Sequence, residues 1–231
     1  MGLPWDEIIR LMIFSEKDLY FSIKFVLLLT WVVAISLPCR LEALDDLEIY
    51  LAGYGMGSQP SNKGISYKGR GGSGETVNGD PGLGFKIGLF PHFAGGYLGI
   101  ELESFGNNNS IRFPIVSGLE TTKGESSLIT YQSMGNLIMR YPGTKFRPYV
   151  GIGGGLSNGI LRNTDIPGRK DKDFDTGTAL GYQFLGGMQL VITQRWYVFG
   201  EYKYFSANYH WKELSLNFQS EYFLGGFGFL F

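Results

Sequence analysis

Large aromatic and small residues alternate at the C-terminal end of the chain. Because alternate residues of a β-strand share a face, this pattern predicts a strand with one file of aromatic rings and mostly glycine or leucine opposite. The aromatic positions are Phe223, Phe227, Phe229 and Phe231. Segments upstream repeat the pattern with charged residues on the face opposite the apolar one. That arrangement is typical of a transmembrane barrel, apolar outside and polar inside.

Eight alternating segments follow one another along the chain. They cover residues 47–56, 82–90, 97–105, 128–141, 147–157, 178–192, 196–205 and 214–231. Each is near the length of about 9–11 residues that a tilted strand needs to cross a bilayer, or somewhat longer. The sequence therefore predicts an all-β fold, an eight-stranded antiparallel up-and-down transmembrane β-barrel.

The connections between these segments alternate in length. The short turns are residues 90–94, 142–145 and 193–195, and the longer polar connections are residues 57–81, 106–127, 158–177 and 206–213. Short turns on one side and long loops on the other are how outer-membrane barrels are built. An even number of strands places both termini on the short-turn side. We predict that this side is the periplasm and that the long connections are extracellular loops.

Several charged residues lie in mid-strand, opposite the apolar files. They are Lys86, Glu101, Glu103, Arg140, Glu201 and Lys203. An exposed Lys or Arg at the bilayer midplane costs about 2–4 kcal/mol, whereas acids and bases inside a barrel can pair. Eight strands leave an interior that side chains can fill, and inward glycines make room for long ones. We therefore predict a lumen charge network that plugs the barrel; a switchable salt-bridge gate or narrow ion path is the alternative.

Aromatic residues cluster near the short turns. They are Phe90, Phe93, Tyr97, Tyr141, Phe146, Trp196 and Tyr197. Outer-membrane barrels carry aromatic girdles at the membrane interfaces, so these residues are predicted to form the periplasmic girdle.

A secretory leader is predicted before the barrel. Lys24 precedes an apolar run over residues 25–37, and Ala43 is a small residue before a plausible cleavage point. The run is shorter than the roughly 20 residues that a membrane-spanning helix needs. We therefore divide the chain into a leader, residues 1–43, with Met12 as an alternative start, and a barrel, residues 44–231. An uncleaved anchor and lipidation at Cys39 are the alternatives, and Pro38 argues against lipidation.

The composition agrees with a barrel and excludes one class of partner. The chain is 44% hydrophobic, 16% aromatic and only 18% charged, and it contains 35 glycines. Much glycine and many aromatic residues favour strands and turns over helices. Residues 44–231 carry equal numbers of acidic and basic side chains, so the basic surface that nucleic-acid binding needs is not encoded.

Three motifs suggest chemistry only weakly, and we predict no catalytic site, metal or cofactor. The glycines of residues 151–155 lack the pattern and context of a phosphate-binding loop. The acidic residues of 171–175 have the spacing found at the start of a calcium-binding loop, but the glycine and the glutamate that such a loop needs further on are missing from the sequence. Ser206 and His210, with Glu213 nearby, resemble a hydrolase set, but spacing alone does not place a base within about 3 Å of a nucleophile. His92 lies in a turn at the opposite end of the predicted barrel.

The chain resembles the small outer-membrane β-barrel proteins of the OmpA/OmpX-like kind. The resemblance rests on residues 82–90 (GLGFKIGLF), 97–103 (YLGIELE), 147–155 (RPYVGIGGG) and 200–205 (GEYKYF), and on the aromatic C-terminal strand. It implies that Phe223, Phe227, Phe229 and Phe231 act as the insertion signal read by the barrel-assembly machinery. It departs from OmpA because no periplasmic peptidoglycan-binding domain follows the barrel.

The resemblance implies a Gram-negative outer-membrane location and a broad function. We expect a monomer in contact with outer-membrane lipid and lipopolysaccharide, not an enzyme, that contributes to envelope integrity or surface interaction through its extracellular loops. A small porin or a channel for hydrophobic molecules is the alternative, followed by a lipid A-modifying enzyme. A soluble barrel such as a lipocalin is the rival fold, and the leader, the rhythm of connections and the terminal aromatic file oppose it.

Overall fold

The computed structural model describes residues 47–61, 65–67, 70–71, 76–117, 120–162, 174–210 and 214–231. The predicted leader lies outside these residues, as do Asp171, Asp173 and Glu213. Among the described residues, no helix combines the length and hydropathy needed to cross a membrane.

Ten strands form one antiparallel sheet. They are β1 Leu47–Pro60, β2 Ile65–Tyr67, β3 Arg70–Gly71, β4 Thr76–Pro91, β5 Leu98–Ser117, β6 Glu120–Arg140, β7 Phe146–Arg162, β8 Phe174–Val191, β9 Trp196–His210 and β10 Leu214–Leu230. The eight long strands pair in chain order, and β1 also pairs with β10, which closes the barrel. The short β2 and β3 lie in the first long connection, and β2 pairs with the start of β10. The predicted eight-stranded antiparallel barrel is confirmed.

The two faces of the sheet have opposite polarity. Apolar side chains point out of the barrel: Ile100 is 56% exposed and Val198 is 42% exposed. Charged side chains on the alternate positions point into the lumen, where Lys86 is 3% exposed and Glu201 is 5% exposed. A soluble barrel would bury the apolar face instead, so this polarity is that of a protein surrounded by lipid.

Where the structure describes the predicted long connections, they are mostly strand. Pairing between β5 and β6 continues to Ser117 and Glu120, well past the predicted ends of these strands. The strands β4, β7, β8 and β9 also extend into the residues predicted as loops. Alternation of apolar and polar residues detects only the part of a strand that faces lipid, whereas backbone hydrogen bonds can continue beyond it. The prediction of long loops at 106–127 and 206–213 was therefore wrong for most of their length.

Two residues of the predicted aromatic girdle face the lumen. Phe90 and Tyr197 are each 1% exposed, because they occupy the same face of their strands as Lys86 and Glu201. The other five members, from Phe93 to Trp196, are exposed at the short-turn end. Nearness to a turn does not determine which face a residue takes, since that depends on its position in the alternation.

The strands β8 and β9 stop pairing before they reach the long-connection end of the barrel. Their pairing runs from Val191 and Tyr197 only as far as Gly181 and Ala207. The first part of β8 continues to pair with β7 on its other side. Residues 174–180 therefore present a strand edge that pairs with no other described strand.

Candidate functional site

The centre of the lumen holds a network of two lysines and three glutamates. Lys86 Nζ lies 2.6 Å from Glu201 Oε2 and 3.7 Å from Glu101 Oε2. Lys203 Nζ forms an ion pair with Glu103 and lies 3.5 Å from Glu201 Oε1. Glu201 therefore joins the two lysines, and the five side chains form one connected ion-pair network.

Neutral side chains surround this network with hydrogen-bond donors. The hydroxyl of Tyr149 donates to Glu201 Oε2 at 2.6 Å, and those of Tyr50 and Tyr54 donate to Glu101 and Glu103. Asn136 Nδ2 donates to Glu101 Oε1 at 2.8 Å, and Gln183 Nε2 donates to Glu103 Oε2 at 2.9 Å. Every carboxylate in the network thus lies within ion-pair distance of a lysine and accepts at least one hydrogen bond from a neutral donor, as buried charges require.

Aromatic rings complete the environment of the two ammonium groups. Lys86 Nζ lies 4.7 Å from the ring centroid of Phe199, and Lys203 Nζ lies 4.5 Å from that of Phe105. These distances are within the range of cation–π attraction. The network contains three acids and two bases, so its formal charge is negative by one.

Glycines on neighbouring strands make this packing possible. A Cβ atom on Gly88 would lie 2.5 Å from atoms of the Tyr50 ring, and one on Gly153 would overlap Asn136 Oδ1. The predicted role of inward glycines as space for large lumen side chains agrees with these contacts.

Arg140, the sixth predicted lumen residue, belongs to a second network at the short-turn end. Its Nη1 lies 2.6 Å from Glu48 Oε1, and its guanidinium carbon lies 3.6 Å from the centroid of Phe90. Arg147 Nη1 lies 3.1 Å from Glu48 Oε2 and its Nε donates to the carbonyl of Gly143. Sequence analysis missed Glu48 and Arg147, although Glu48 shares the face of Tyr50 and Arg147 shares that of Tyr149.

Aromatic side chains fill the lumen on the other side of the central network. The ring of Phe105 lies 5.6 Å from that of Tyr222 and 6.1 Å from that of Phe205, both edge to face. Tyr209 forms a hydrogen bond with Ser157 beyond them. Packed side chains therefore occupy the lumen at three successive levels: the Arg140 network, the central network and this aromatic group.

One buried amide in this half has no described partner. Gln132 is fully buried opposite Phe105 in the β5–β6 ladder. Neither its Nε2 nor its Oε1 has a hydrogen-bond partner in the described part of the chain. An unpaired buried amide costs free energy, so Gln132, both of whose amide atoms are unpaired, is a weak point of the lumen. Single atoms without a described hydrogen-bond partner are found on other buried side chains, among them Gln183 Oε1, Glu201 Oε1 and the hydroxyl of Tyr222.

The four phenylalanines of the predicted insertion signal lie on the outer face of the barrel. Phe223, Phe227 and Phe231 are exposed to the lipid side. Phe229 packs edge to face against Trp196, at 5.1 Å between ring centroids, and against Phe231, at 5.0 Å. These rings form a continuous outward file along the β9–β10 seam. Their role as an insertion signal stays a prediction.

The comparisons with known proteins agree with this geometry. Residues 27–228 match the family described as "Outer membrane protein beta-barrel domain". The chain belongs to this family. Membership places it among the outer-membrane barrels of Gram-negative bacteria. No curated protein matches the chain.

Several solved outer-membrane barrels have a similar fold. OprG from Pseudomonas aeruginosa is 14% identical, with a TM-score of 0.45 over 80% of this chain and 95% of that one. Neisserial surface protein A is 12% identical, with a TM-score of 0.48 over 80% and 97%. Outer membrane protein W of E. coli is 19% identical, with a TM-score of 0.41 over 80% and 97%. These similarities concern the fold alone.

The weaker candidate motifs take ordinary places in this outer-membrane barrel. Residues 151–155 are a regular part of β7, not a strand-to-helix loop. Ser206 and His210 lie four residues apart in the extended strand β9, which separates their Cα atoms by about 13 Å. That spacing gives the pair no nucleophile–base contact within the strand. His92 lies in a short 3₁₀ turn at the other end.

Proposed function

We propose that the protein is a non-conducting, non-enzymatic outer-membrane barrel that supports envelope integrity or surface interaction. The observation that carries this proposal is the filled lumen. Glu48 with two arginines, the Lys86–Glu201–Lys203 network and the rings around Phe105 occupy successive levels. An ion crossing the barrel would have to break buried ion pairs that are costly to leave unpaired.

In this proposal, the strand ends that extend beyond the membrane make the contacts with surface partners. In this proposal the short turns and both termini are periplasmic, and the extended strand ends are extracellular. The β5–β6 hairpin, with strands of 20 and 21 residues, is longer than a membrane crossing requires. The edge of β8 at residues 174–180, which no described strand other than β7 pairs with, lies at the same end. An unpaired strand edge can accept an extended segment of another chain, which supports a role in surface contact.

Planar-bilayer recording tests the plug. We expect the purified full chain to give no steady conductance under conditions in which a large porin conducts. A Lys203→Ala variant weakens the central network, and Gln194→Ala, in an exposed turn, is its control. Persistent wild-type conductance that changes in Lys203→Ala or Glu101→Ala but not in Gln194→Ala would contradict the proposal and favour a small channel.

Complementation tests the surface role. A strain that lacks the protein is expected to show altered detergent sensitivity or altered surface binding, restored by the wild-type gene. A variant with the β5–β6 hairpin shortened beyond the Asn107–Thr130 pair should insert normally and fail to restore the property. Full restoration by this variant would exclude the hairpin as the acting surface.

Lipid A analysis tests the enzymatic alternative. Mass spectrometry of lipid A from cells with wild-type protein, with His210→Ala and without the protein is expected to give one profile. A modification that is present only with the wild-type protein would overturn the non-enzymatic assignment.

A further inference from the structure

One sector of the short-turn end carries unpaired basic side chains. It comprises residues 139–149 and 188–198, all of them described, and it contains four basic residues and no acidic one. Arg140 and Arg147 are held by Glu48. Lys145 and Arg195 are exposed, and neither forms an ion pair with any described residue.

The two exposed cations occupy equivalent positions. Lys145 is the last residue before β7, and Arg195 is the last residue before β9. Each is followed by an outward aromatic residue, Phe146 or Trp196, which is about half exposed. β8 separates β7 from β9, and the registers across it place Lys145 level with Tyr197, two residues from Arg195. Two strand spacings and this offset separate the two positions by roughly 12 Å.

The turns that carry these cations are fixed by backbone hydrogen bonds. The amide of Val191 donates to the carbonyl of Lys145 at 2.9 Å, and the amide of Leu230 donates to the carbonyl of Arg195 at 2.7 Å. The amides of Ile192 and Thr193 both donate to the carbonyl of Trp196. The cations therefore project from ordered turns, so little backbone entropy is lost when they engage a partner.

We propose that this sector binds the headgroups of anionic phospholipids in the leaflet at the short-turn end. Outward aromatic rings at a barrel end sit at the level of the interface. A cation one residue beyond each ring then reaches the level of the lipid phosphates. Because Glu48 pairs with Arg140 and Arg147, the positive charge left over in the sector is that of Lys145 and Arg195, and a lipid with net negative charge complements it.

This site is independent of the proposed function. It requires neither a closed lumen nor a particular compartment for the short turns. A conducting barrel would refute the plug and leave lipid binding untouched.

The test measures lipid selectivity around the intact protein. The full chain is reconstituted in phosphatidylcholine vesicles with trace spin-labelled phosphatidylglycerol or phosphatidylcholine, and the motionally restricted fraction is measured by electron paramagnetic resonance. We expect phosphatidylglycerol to associate more strongly, by about fivefold for each cation engaged. Lys145→Gln/Arg195→Gln should remove this preference, and the charge-conserving control Lys145→Arg/Arg195→Lys should keep it.

Two results would overturn the proposal. One is equal association of both lipids with the wild-type protein, and the other is an undiminished preference in the folded double glutamine variant. Heat-modifiable migration establishes whether that variant is folded. A salt titration of the wild-type protein provides a test that needs no variant: selectivity must fall towards about 1 M salt, where the screening length is about 3 Å, and a preference insensitive to salt would also refute the proposal.

Discussion

The ammonium nitrogen of Lys86 on β4 lies 2.6 Å from Oε2 of Glu201 on β9, although these strands share no backbone ladder. The pair crosses the lumen and joins two walls that the sheet connects only through other strands. Glu201 also faces Lys203, so the same carboxylate joins the two halves of the central network. The lumen side chains thus connect opposite walls of the barrel by contacts across its interior.

Removing the cation from this pair should be strongly destabilising. Lys86→Met keeps most of the side-chain volume but leaves Glu101 without a cation and Glu201 with Lys203 alone. We expect a loss of about 3–5 kcal/mol in the free energy of unfolding, measured by urea titration in vesicles. Gln194→Ala, on the exposed turn before β9, should change it by no more than about 0.5 kcal/mol. Equal effects of the two substitutions would mean that the lumen pair contributes no stability.

The unpaired amide of Gln132 predicts the opposite result. Gln132→Met replaces a buried polar group that has no described partner, so it should leave stability unchanged or raise it. Gln183→Met is the matched change, and it removes the donor that Gln183 gives to Glu103. We expect Gln183→Met to cost about 1–3 kcal/mol. The two free energies of unfolding should therefore differ clearly; if Gln132→Met is as costly as Gln183→Met, the amide has a partner in the folded protein.

Two glycines that differ in surroundings test the packing of the lumen. A Cβ on Gly88 would meet the Tyr50 ring, whereas a Cβ on Gly200 would meet nothing within 4 Å. Gly88→Ala should cost about 1–3 kcal/mol by overpacking, and Gly200→Ala should be neutral or stabilising. The free energies of unfolding of both variants are measured in urea. An unchanged free energy of unfolding for Gly88→Ala would contradict the tight packing of the Tyr50 ring against Gly88.

If the C-terminal aromatic file is an insertion signal, substitution of one of its rings should impair assembly more than substitution of an outward ring on another strand. Phe231→Ala should lower the fraction of protein that reaches the heat-modifiable, folded form in cells. Phe85→Ala removes another outward, exposed ring, on β4, and should have a smaller effect. The folded fraction is read from gel migration with and without heating. Similar defects in both variants would assign the effect to lost lipid contact and not to recognition of the last strand.

Alternation alone was enough to predict the barrel and the face of each lumen charge. Lys86, Glu101 and Lys203 each lie one position from apolar residues in a regular strand, and the cost of placing charge in lipid then decides their direction. The same rule applied to Ile138, an apolar residue on the polar face, would have placed it correctly in the lumen, where it is buried.

The partners within the lumen could not be predicted in the same way. Which acid meets which base depends on the relative shift of strands that are distant in the chain, as for Lys86 and Glu201. The network around Glu48 was missed because the first strand separates its faces poorly. The strand extensions were missed because polar residues on both faces carry no alternation signal beyond the membrane.

Quenching of tryptophan fluorescence by brominated lipid tests the central claim most directly. Val198 and Phe199 are neighbours in β9 that face lipid and lumen respectively. In a background with all four native tryptophans, at positions 5, 31, 196 and 211, replaced by Phe, the account predicts strong quenching of Val198→Trp and little quenching of Phe199→Trp. Strong quenching of Phe199→Trp with little quenching of Val198→Trp would show that the barrel has the opposite polarity.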